Sequence, residues 1–196
     1  MTRGRKKDFD EQEALASMTK VFWRKGYDGA SYEDLVKGTG VQRYGLYSAF
    51  GDKRSAFLYC INFYVNNMVK QFTAPMRAKN AGVQEVKDYL DTISSSLCEK
   101  NTLGCFACNS INEKVTDEDK EIKKAIDSMF VMLKDSLKHA LSNAKKKGEV
   151  SKSLNVNKTV NIMIGTMTGA TIMSRANMEK QIIVDLIENC KEKLAK

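Results

Sequence analysis

Residues 31–53 read SYEDLVKGTGVQRYGLYSAFGDK, and this segment carries the strongest structural signal in the chain. Ser31 followed by Asp34 is a pairing that begins a helix, because each side chain can bond to the other residue's backbone N–H. Gly40 marks a tight turn, where a residue without a Cβ can take a positive φ. A second short helix follows. This order predicts a helix-turn-helix at about residues 31–50, a unit that places its second helix in the major groove of DNA.

The segments on either side complete a helical unit. Asp10 can cap a first helix that stops at Gly26, and Asp52 can cap a fourth helix that runs through Met68. The connections are only a few residues long, so the first three helices must pack together. We therefore place a DNA-binding domain at residues 9–64, after a basic arm at residues 1–8.

The second helix of the motif has an apolar face and a polar face. Leu46 and Phe50, four residues apart, form the inner face, while the outer face offers hydrogen-bond donors near the helix start. At that position the Arg43 guanidinium can donate two hydrogen bonds to one guanine base. The basic arm at residues 1–8 can enter a minor groove of DNA, and a disordered basic tail is an equally good interpretation of the same residues. The predicted DNA-binding residues are Ser31, Gln42, Arg43, Tyr44, Tyr47, Ser48, Lys53, Arg3 and Arg5.

Over about residues 9–64 the sequence resembles the TetR/AcrR family of bacterial transcription regulators. The matching features are FWRKGYDGAS, Gly40 with Val41, the Leu46–Tyr47 pair, Phe50 and Lys53. Gly38 and Thr39 stand where two alanines are frequent in that family, and Arg54 stands where an acidic residue is frequent. The resemblance implies a dimer, a repressor as the role, and a C-terminal domain, here residues 65–196, that binds a small effector.

The rest of the chain predicts longer amphipathic helices and no strand. A single Pro among 196 residues favours helix, and no alternating apolar pattern is present. The predicted helices cover residues 83–99, about 105–115, 118–146, 156–175 and 179–195. The predicted fold class is all-α, with an N-terminal three-helix DNA-binding domain followed by a larger helical effector-binding and dimerisation domain.

The last two predicted helices carry apolar stripes that can pair two subunits in a four-helix interface. Pairing suits a helix-turn-helix, because one short helix reads too few bases for useful specificity. A core within one chain has the same periodicity, so it stays open as the alternative. The predicted homodimer residues are Met163, Met167, Gly169, Ile183, Leu186 and Ile187.

A C-x-x-C pair, Cys105 and Cys108, is the most unusual feature of the C-terminal region. At a helix start the dipole favours thiolate, so thiol sensing of an oxidant or electrophile is one hypothesis. The segment also loosely resembles a branch of the family with oxidant- and electrophile-responsive members. We favour the plainer interpretation that both are small buried residues.

The alternative effector is an apolar or aromatic small molecule held in a pocket. Tyr64, Met68, Phe72, Phe106, Met129, Phe130 and Leu133 are the candidate lining residues, although such a set more often forms plain core.

The sequence is less consistent with two other functional classes. A C-x-x-C thiol redox enzyme would normally sit beside a βαβ pattern, which is absent, so we expect no enzyme and no cofactor. A helical interaction protein without DNA activity would leave the polar face of the motif unexplained. We expect no metal site, since His139 is the only histidine and a second C-x-x-C is absent.

Net charge and hydropathy indicate which partner and which cellular location to expect. The net charge of +8 is compatible with double-stranded operator DNA as a partner. The charged N-terminus lacks a signal peptide's apolar core, and residues 160–173 are too short and polar to span a bilayer. We therefore expect a cytoplasmic protein that does not bind membranes.

Overall fold

The computed structural model of the protein describes residues 9–195, with only the backbone at Lys114, and this part of the chain contains no β-strand. The predicted all-α fold is confirmed. The helices are α1 Glu11–Gly29, α2 Tyr32–Thr39, α3 Arg43–Phe50, α4 Lys53–Phe63, α5 Lys70–Thr73, α6 Val83–Cys98, α7 Phe106–Ser110, α8 Lys114–Glu118, α9 Lys120–Lys147, α10 Val156–Arg175 and α11 Lys180–Glu192. None of the helices within residues 9–195 is long and apolar enough to cross a membrane.

Helix α1 begins and breaks where the sequence predicts. The Asp10 carboxylate accepts from the backbone N–H of Gln12 at 2.7 Å and of Glu13 at 3.2 Å, which satisfies donors at the helix start. Gly26 has φ 74° and ψ 173°, a conformation that interrupts the helix before one last turn ends at Gly29. The first helix is therefore regular only as far as Gly26.

The predicted fourth helix is not one continuous α-helix. Between α4 and α5 the backbone forms a π-helical turn at Tyr64–Val69. Such turns are rare and often mark functional sites, because the extra residue per turn redirects side chains. Here Tyr64 and Met68 both line the cavity described below.

The predicted helix at about 105–115 is divided into α7 and α8. Thr116, on α8, donates its hydroxyl hydrogen to the carbonyl oxygen of Ser110 at 2.7 Å, which fixes the bend between the two. The other four predicted C-terminal helices agree with α6, α9, α10 and α11 to within a few residues.

Two main groups of buried side chains hold the helices together. The first joins α1–α4 to α7 and the start of α9, through residues such as Phe106, Ile122 and Ile126. The second joins α6, α9, α10 and α11. Because the first group includes side chains of α7 and α9, the helix-turn-helix unit is packed directly onto the C-terminal helices.

Candidate DNA-binding face and ligand cavity

The first helix of the motif is capped as predicted. The Ser31 hydroxyl accepts from Asp34 N–H at 3.1 Å, and the Asp34 carboxylate accepts from Ser31 N–H at 2.9 Å. Lys25 pairs with the same carboxylate at 2.6 Å. The hydrogen bond from Lys25, with those from Ser31, holds the pKa of Asp34 well below its usual range. The carboxylate therefore stays charged and the cap intact at neutral pH.

The turn between α2 and α3 depends on glycine geometry and on one hydroxyl. Gly40 has φ 70°, and its N–H donates to Val36 O at 2.9 Å. The Thr39 hydroxyl donates to Leu35 O at 2.8 Å and accepts from Val41 N–H at 3.1 Å. Together these bonds fix where α3 starts relative to α2.

Helix α3 is divided into an inner and an outer face. Leu46 and Phe50 are buried, as predicted. Tyr44 is 87% exposed and Tyr47 is 58% exposed, which is unusual for rings of this size in a protein without a partner. The exposed residues on this face are Gln42, Arg43, Tyr44, Tyr47 and Ser48.

Arg43 is held at the edge of this face. Its guanidinium pairs with the Glu33 carboxylate and lies 5.4 Å from the centre of the Tyr32 ring. Tyr32 is itself fixed, because its hydroxyl donates to Gly51 O at 2.9 Å. The sequence did not indicate Glu33 as a partner, since the two residues lie on different helices.

The remaining predicted DNA contacts flank the motif. Ser31 is exposed at the start of α2. Lys53 begins α4, and its Nζ lies 4.4 Å from the centre of the Tyr27 ring. Arg3 and Arg5 lie outside the described residues.

A cavity of about 160 Å³ lies between the DNA-binding unit and the C-terminal helices. It is walled by aromatic, aliphatic and sulfur-containing side chains, with Phe72, 48% exposed, at its edge. The predicted pocket residues on its wall are Tyr64, Met68, Phe72, Met129, Phe130 and Leu133. Phe106 is buried in the core behind the wall, with its ring 6.1 Å from that of Trp23.

Cys105 and Cys108 both line this cavity. The Tyr64 hydroxyl donates to Cys105 Sγ at 3.3 Å, and Met129 Sδ lies 3.6 Å away. A hydrogen bond from the Cys108 thiol, with those from Tyr64 and two backbone N–H groups, lowers the pKa of Cys105. Donating that bond, together with burial, raises the pKa of Cys108. Of the two thiols, Cys105 is the one whose pKa is lowered.

The cavity wall is bonded to α1. Trp23, on α1, donates its indole N–H to Leu103 O at 3.0 Å, directly before the C-x-x-C turn. The Glu113 carboxylate accepts from Tyr27 N–H at 3.0 Å, and a Cβ added at Gly26 would overlap that carboxylate. These two bonds join the segment between α6 and α8 to the second half of α1.

A second connection runs from α4 to α9. Arg54 Nε and Nη2 donate to the two oxygens of Asp119, at 2.5 and 2.9 Å, and Nη2 also contacts Glu121. The hydrogen bond from Arg54 lowers the pKa of Asp119 to about 2. Arg54, the residue that departs from the usual family pattern, thus joins the two domains.

The predicted dimer residues fall into two groups. The first group is buried within the chain's own core, so these side chains lie on the inner faces of α10 and α11. It consists of Met163, Met167, Ile183 and Ile187. Leu186 is partly buried against Leu97, Ala170 and Ile183, and Gly169 lies where an added Cβ would meet nothing within 4 Å. The exposed apolar side chains on α10 are Ile162 and Ile172, at 40% and 59% exposure.

Two family models match the chain. The model for the N-terminal part of bacterial regulatory proteins of the tetR family covers residues 15–60. The model for a tetracyclin repressor-like C-terminal domain covers residues 82–188. The first matched segment contains the helix-turn-helix, and the second contains most of the residues that line the cavity.

Full-length relatives carry the same classification. The HTH-type transcriptional repressor ComR of Escherichia coli K12 is 28% identical over 183 residues, covering 91% of this chain and 87% of ComR. An uncharacterised HTH-type transcriptional regulator of Bacillus subtilis 168, YezE, is 27% identical and covers 76% of each chain.

Solved structures have the same fold. A cysteine mutant of the regulator CifR bound to a 26-base-pair operator has a TM-score of 0.82 at 17% identity, covering 96% of this chain and 98% of CifR. Reduced Escherichia coli NemR has a TM-score of 0.81 at 16% identity, covering 94% and 96%. At these identities the likeness establishes the fold alone.

Proposed function

Because the chain belongs to the TetR family of bacterial regulatory proteins, we propose that it represses transcription as a homodimer that leaves its operator when a ligand enters the cavity. The chain is a DNA-binding transcriptional regulator. Operator DNA as the partner implies a cytoplasmic protein. The observation that carries the proposal is the exposed polar and aromatic face of α3 above a buried inner face.

Each residue on that face has a role in reading DNA. Arg43 leaves Glu33 to bond guanine, and Gln42 suits adenine, because both side chains can make two bonds to one base edge. Tyr44 and Tyr47 contact phosphate or a thymine methyl group. Lys53 leaves the Tyr27 ring to neutralise a phosphate, which adds affinity without sequence preference.

Dimerisation uses the outer surface of α10 and α11. Gly165 and Gly169, four residues apart on α10, leave space where an added Cβ would meet nothing within 4 Å, so a second helix can approach closely. Ile162 and Ile172 flank them with apolar surface. A two-fold axis through this surface presents two copies of α3 to two successive half-sites of an operator.

Ligand binding acts on DNA binding through α1 and α4. A molecule in the cavity presses on Trp23, on α1, and on Tyr64, directly after α4. Helices α1 and α4 pack against the helix-turn-helix. The Arg54–Asp119 pair and the Glu113–Tyr27 bond transmit that displacement. Because the two α3 helices must match a fixed half-site spacing, a small rotation of each is enough to lower operator affinity.

Thiol chemistry at the same cavity is the second candidate signal, favoured by the lowered pKa of Cys105. An electrophile forms a bond to Cys105 Sγ as the thiol proton is released. An oxidant such as hydrogen peroxide takes two electrons and two protons from Cys105 and Cys108, which join as a disulfide while the peroxide becomes water. The electrophile adduct on Cys105 occupies the cavity, and the disulfide displaces α7, which carries Cys108.

The test is operator binding before and after thiol modification. DNA from upstream of the gene and its neighbours serves as the probe, with N-ethylmaleimide or hydrogen peroxide as reagent. We expect the wild-type protein to dissociate, and a Cys105→Ser/Cys108→Ser variant to stay bound. Dissociation of both proteins alike would remove these cysteines from the mechanism, while failure of the unmodified protein to bind DNA would contradict the function itself.

A further inference from the structure

Tyr89 carries a hydroxyl group that the protein itself does not use. Tyr89, on α6, lines the cavity, and within residues 9–195 its hydroxyl makes no hydrogen bond. Burial raises the pKa of Tyr89, so the phenol remains a neutral donor. No buried side-chain nitrogen or oxygen of the described residues lacks a hydrogen-bond partner, so this unpaired hydroxyl reaches accessible space and is available to a ligand.

Most other hydroxyls on the wall are already hydrogen-bonded to the protein. Tyr64 donates to Cys105 Sγ at 3.3 Å. Thr92 donates to Asp88 O at 2.8 Å, and Thr171 donates to Met167 O at 2.9 Å. Thr168 bonds to Cys108, and Ser96, which also lines the cavity, is an exposed residue whose hydroxyl can bond to water. Tyr89 is less exposed than Ser96, so its hydroxyl is the donor that gains most from a ligand in the cavity.

The wall also limits the charge and size of the ligand. Among the described residues, none that lines the cavity is Asp, Glu, Lys, Arg or His. An anionic ligand would lose its water shell without gaining a counter-charge, which is costly. A dry cavity of about 150 Å³ accepts benzene, so the 160 Å³ here suits a molecule of about one ring.

We propose that the effector is a small uncharged aldehyde or ketone of about one-ring size, whose carbonyl oxygen accepts a hydrogen bond from Tyr89. A carbonyl group fits better than an alcohol, because it has no donor of its own to leave unpaired in an apolar site. This assignment rests on the proposed function, in which this cavity receives the effector.

Trp23 provides the assay, because it is the single tryptophan of the chain and lines the cavity. Its fluorescence is titrated with three probes of similar shape: acetophenone, isopropylbenzene, which lacks the oxygen, and benzoate, which is charged. The full-length protein is used as wild type, as Tyr89→Phe, and as Tyr59→Phe. Tyr59 is 51% exposed and lies outside the cavity, so it is the matched control.

We expect Tyr89→Phe to weaken acetophenone binding about 2- to 12-fold, the effect of one neutral hydrogen bond. Isopropylbenzene should bind the two proteins equally, benzoate should bind neither, and Tyr59→Phe should behave as wild type. Unchanged acetophenone affinity in Tyr89→Phe, or benzoate binding as tight as acetophenone, would overturn the assignment. Binding of isopropylbenzene without acetophenone would also overturn it.

The same titration is then repeated with operator DNA bound. Acetophenone could bind with the expected dependence on Tyr89 and still leave the operator complex intact. That result would support the proposed ligand chemistry of the cavity and would contradict the proposal that a ligand in the cavity releases operator DNA. If none of the probes reaches the cavity, the cavity is not the effector site. Thermal unfolding of each variant confirms that the removed hydroxyl leaves the fold unchanged.

Discussion

Replacing Gly26 by Ala disturbs the backbone and the link between the two domains at one position. Gly26 has φ 74° and ψ 173°, a region that residues with a Cβ almost never occupy. The added Cβ also overlaps the Glu113 carboxylate, which accepts from Tyr27 N–H at 3.0 Å. The Ala side chain therefore strains the break in α1 and displaces Glu113.

The two effects have comparable size. Backbone strain of this kind costs about 2 kcal/mol, and the lost hydrogen bond to a charged group costs about 2 kcal/mol more. Their sum is about 4 kcal/mol, which corresponds to a fall in the unfolding temperature of roughly 8–16 °C for a domain of this size. Gly29→Ala is the control, because its Cβ would meet only Lys25 Cβ at 3.9 Å.

Thermal unfolding at one fixed protein concentration measures the difference, since dimerisation makes the midpoint concentration-dependent. A Glu113→Ala variant separates the two effects: in that background, Gly26→Ala should cost only the backbone strain of about 2 kcal/mol. The reasoning is refuted if Gly26→Ala unfolds within about 2 °C of the wild type, or if it costs the same with and without Glu113.

Three further predictions concern the dimer, the DNA-binding face and the thiol. Ile172→Glu should turn the dimer into a monomer in light scattering, whereas Val131→Glu, equally exposed but on α9, should not. Glu33→Gln should raise the affinity for random duplex DNA roughly 2- to 5-fold, because it frees Arg43. The ratio of operator affinity to random-duplex affinity should fall as a result. A Glu→Gln change on α11 should alter neither quantity. Because the pKa of Cys105 is lowered, its alkylation by iodoacetamide should reach half its maximal rate at a lower pH than a free cysteine; peptide mass spectrometry that finds the same midpoint would contradict the activated thiol.

The local signals in the sequence predicted the start of the molecule well. The Ser31–Asp34 cap, the turn at Gly40 and the break at Gly26 all depend on residues within a few positions of one another. Each has a distinct stereochemical cause, either a side chain that satisfies a backbone N–H or a missing Cβ. Such features can be predicted from sequence, because no distant part of the chain is needed to form them.

Features that depend on packing between distant segments were not predictable in the same way. A stripe containing Met163 and Ile187 has the same spacing whether it faces a second subunit or its own chain, and both side chains are buried within the chain. Trp23 and Tyr89 reach one cavity from α1 and α6. The Arg54–Asp119 pair joins residues 65 positions apart, and the departure of Arg54 from the family pattern was its only signal.

The most direct test of the account is the salt dependence of DNA binding by the wild-type protein and Arg43→Ala. Fluorescence anisotropy of a labelled duplex from upstream of the gene, competed with random duplex between about 50 and 200 mM salt, measures affinity and preference together. We predict a steep linear fall of log affinity with log salt for both proteins, and loss of about 1–3 kcal/mol of sequence preference in Arg43→Ala. Affinity that is independent of salt, or a variant that keeps the full sequence preference, would contradict the reading of DNA by α3.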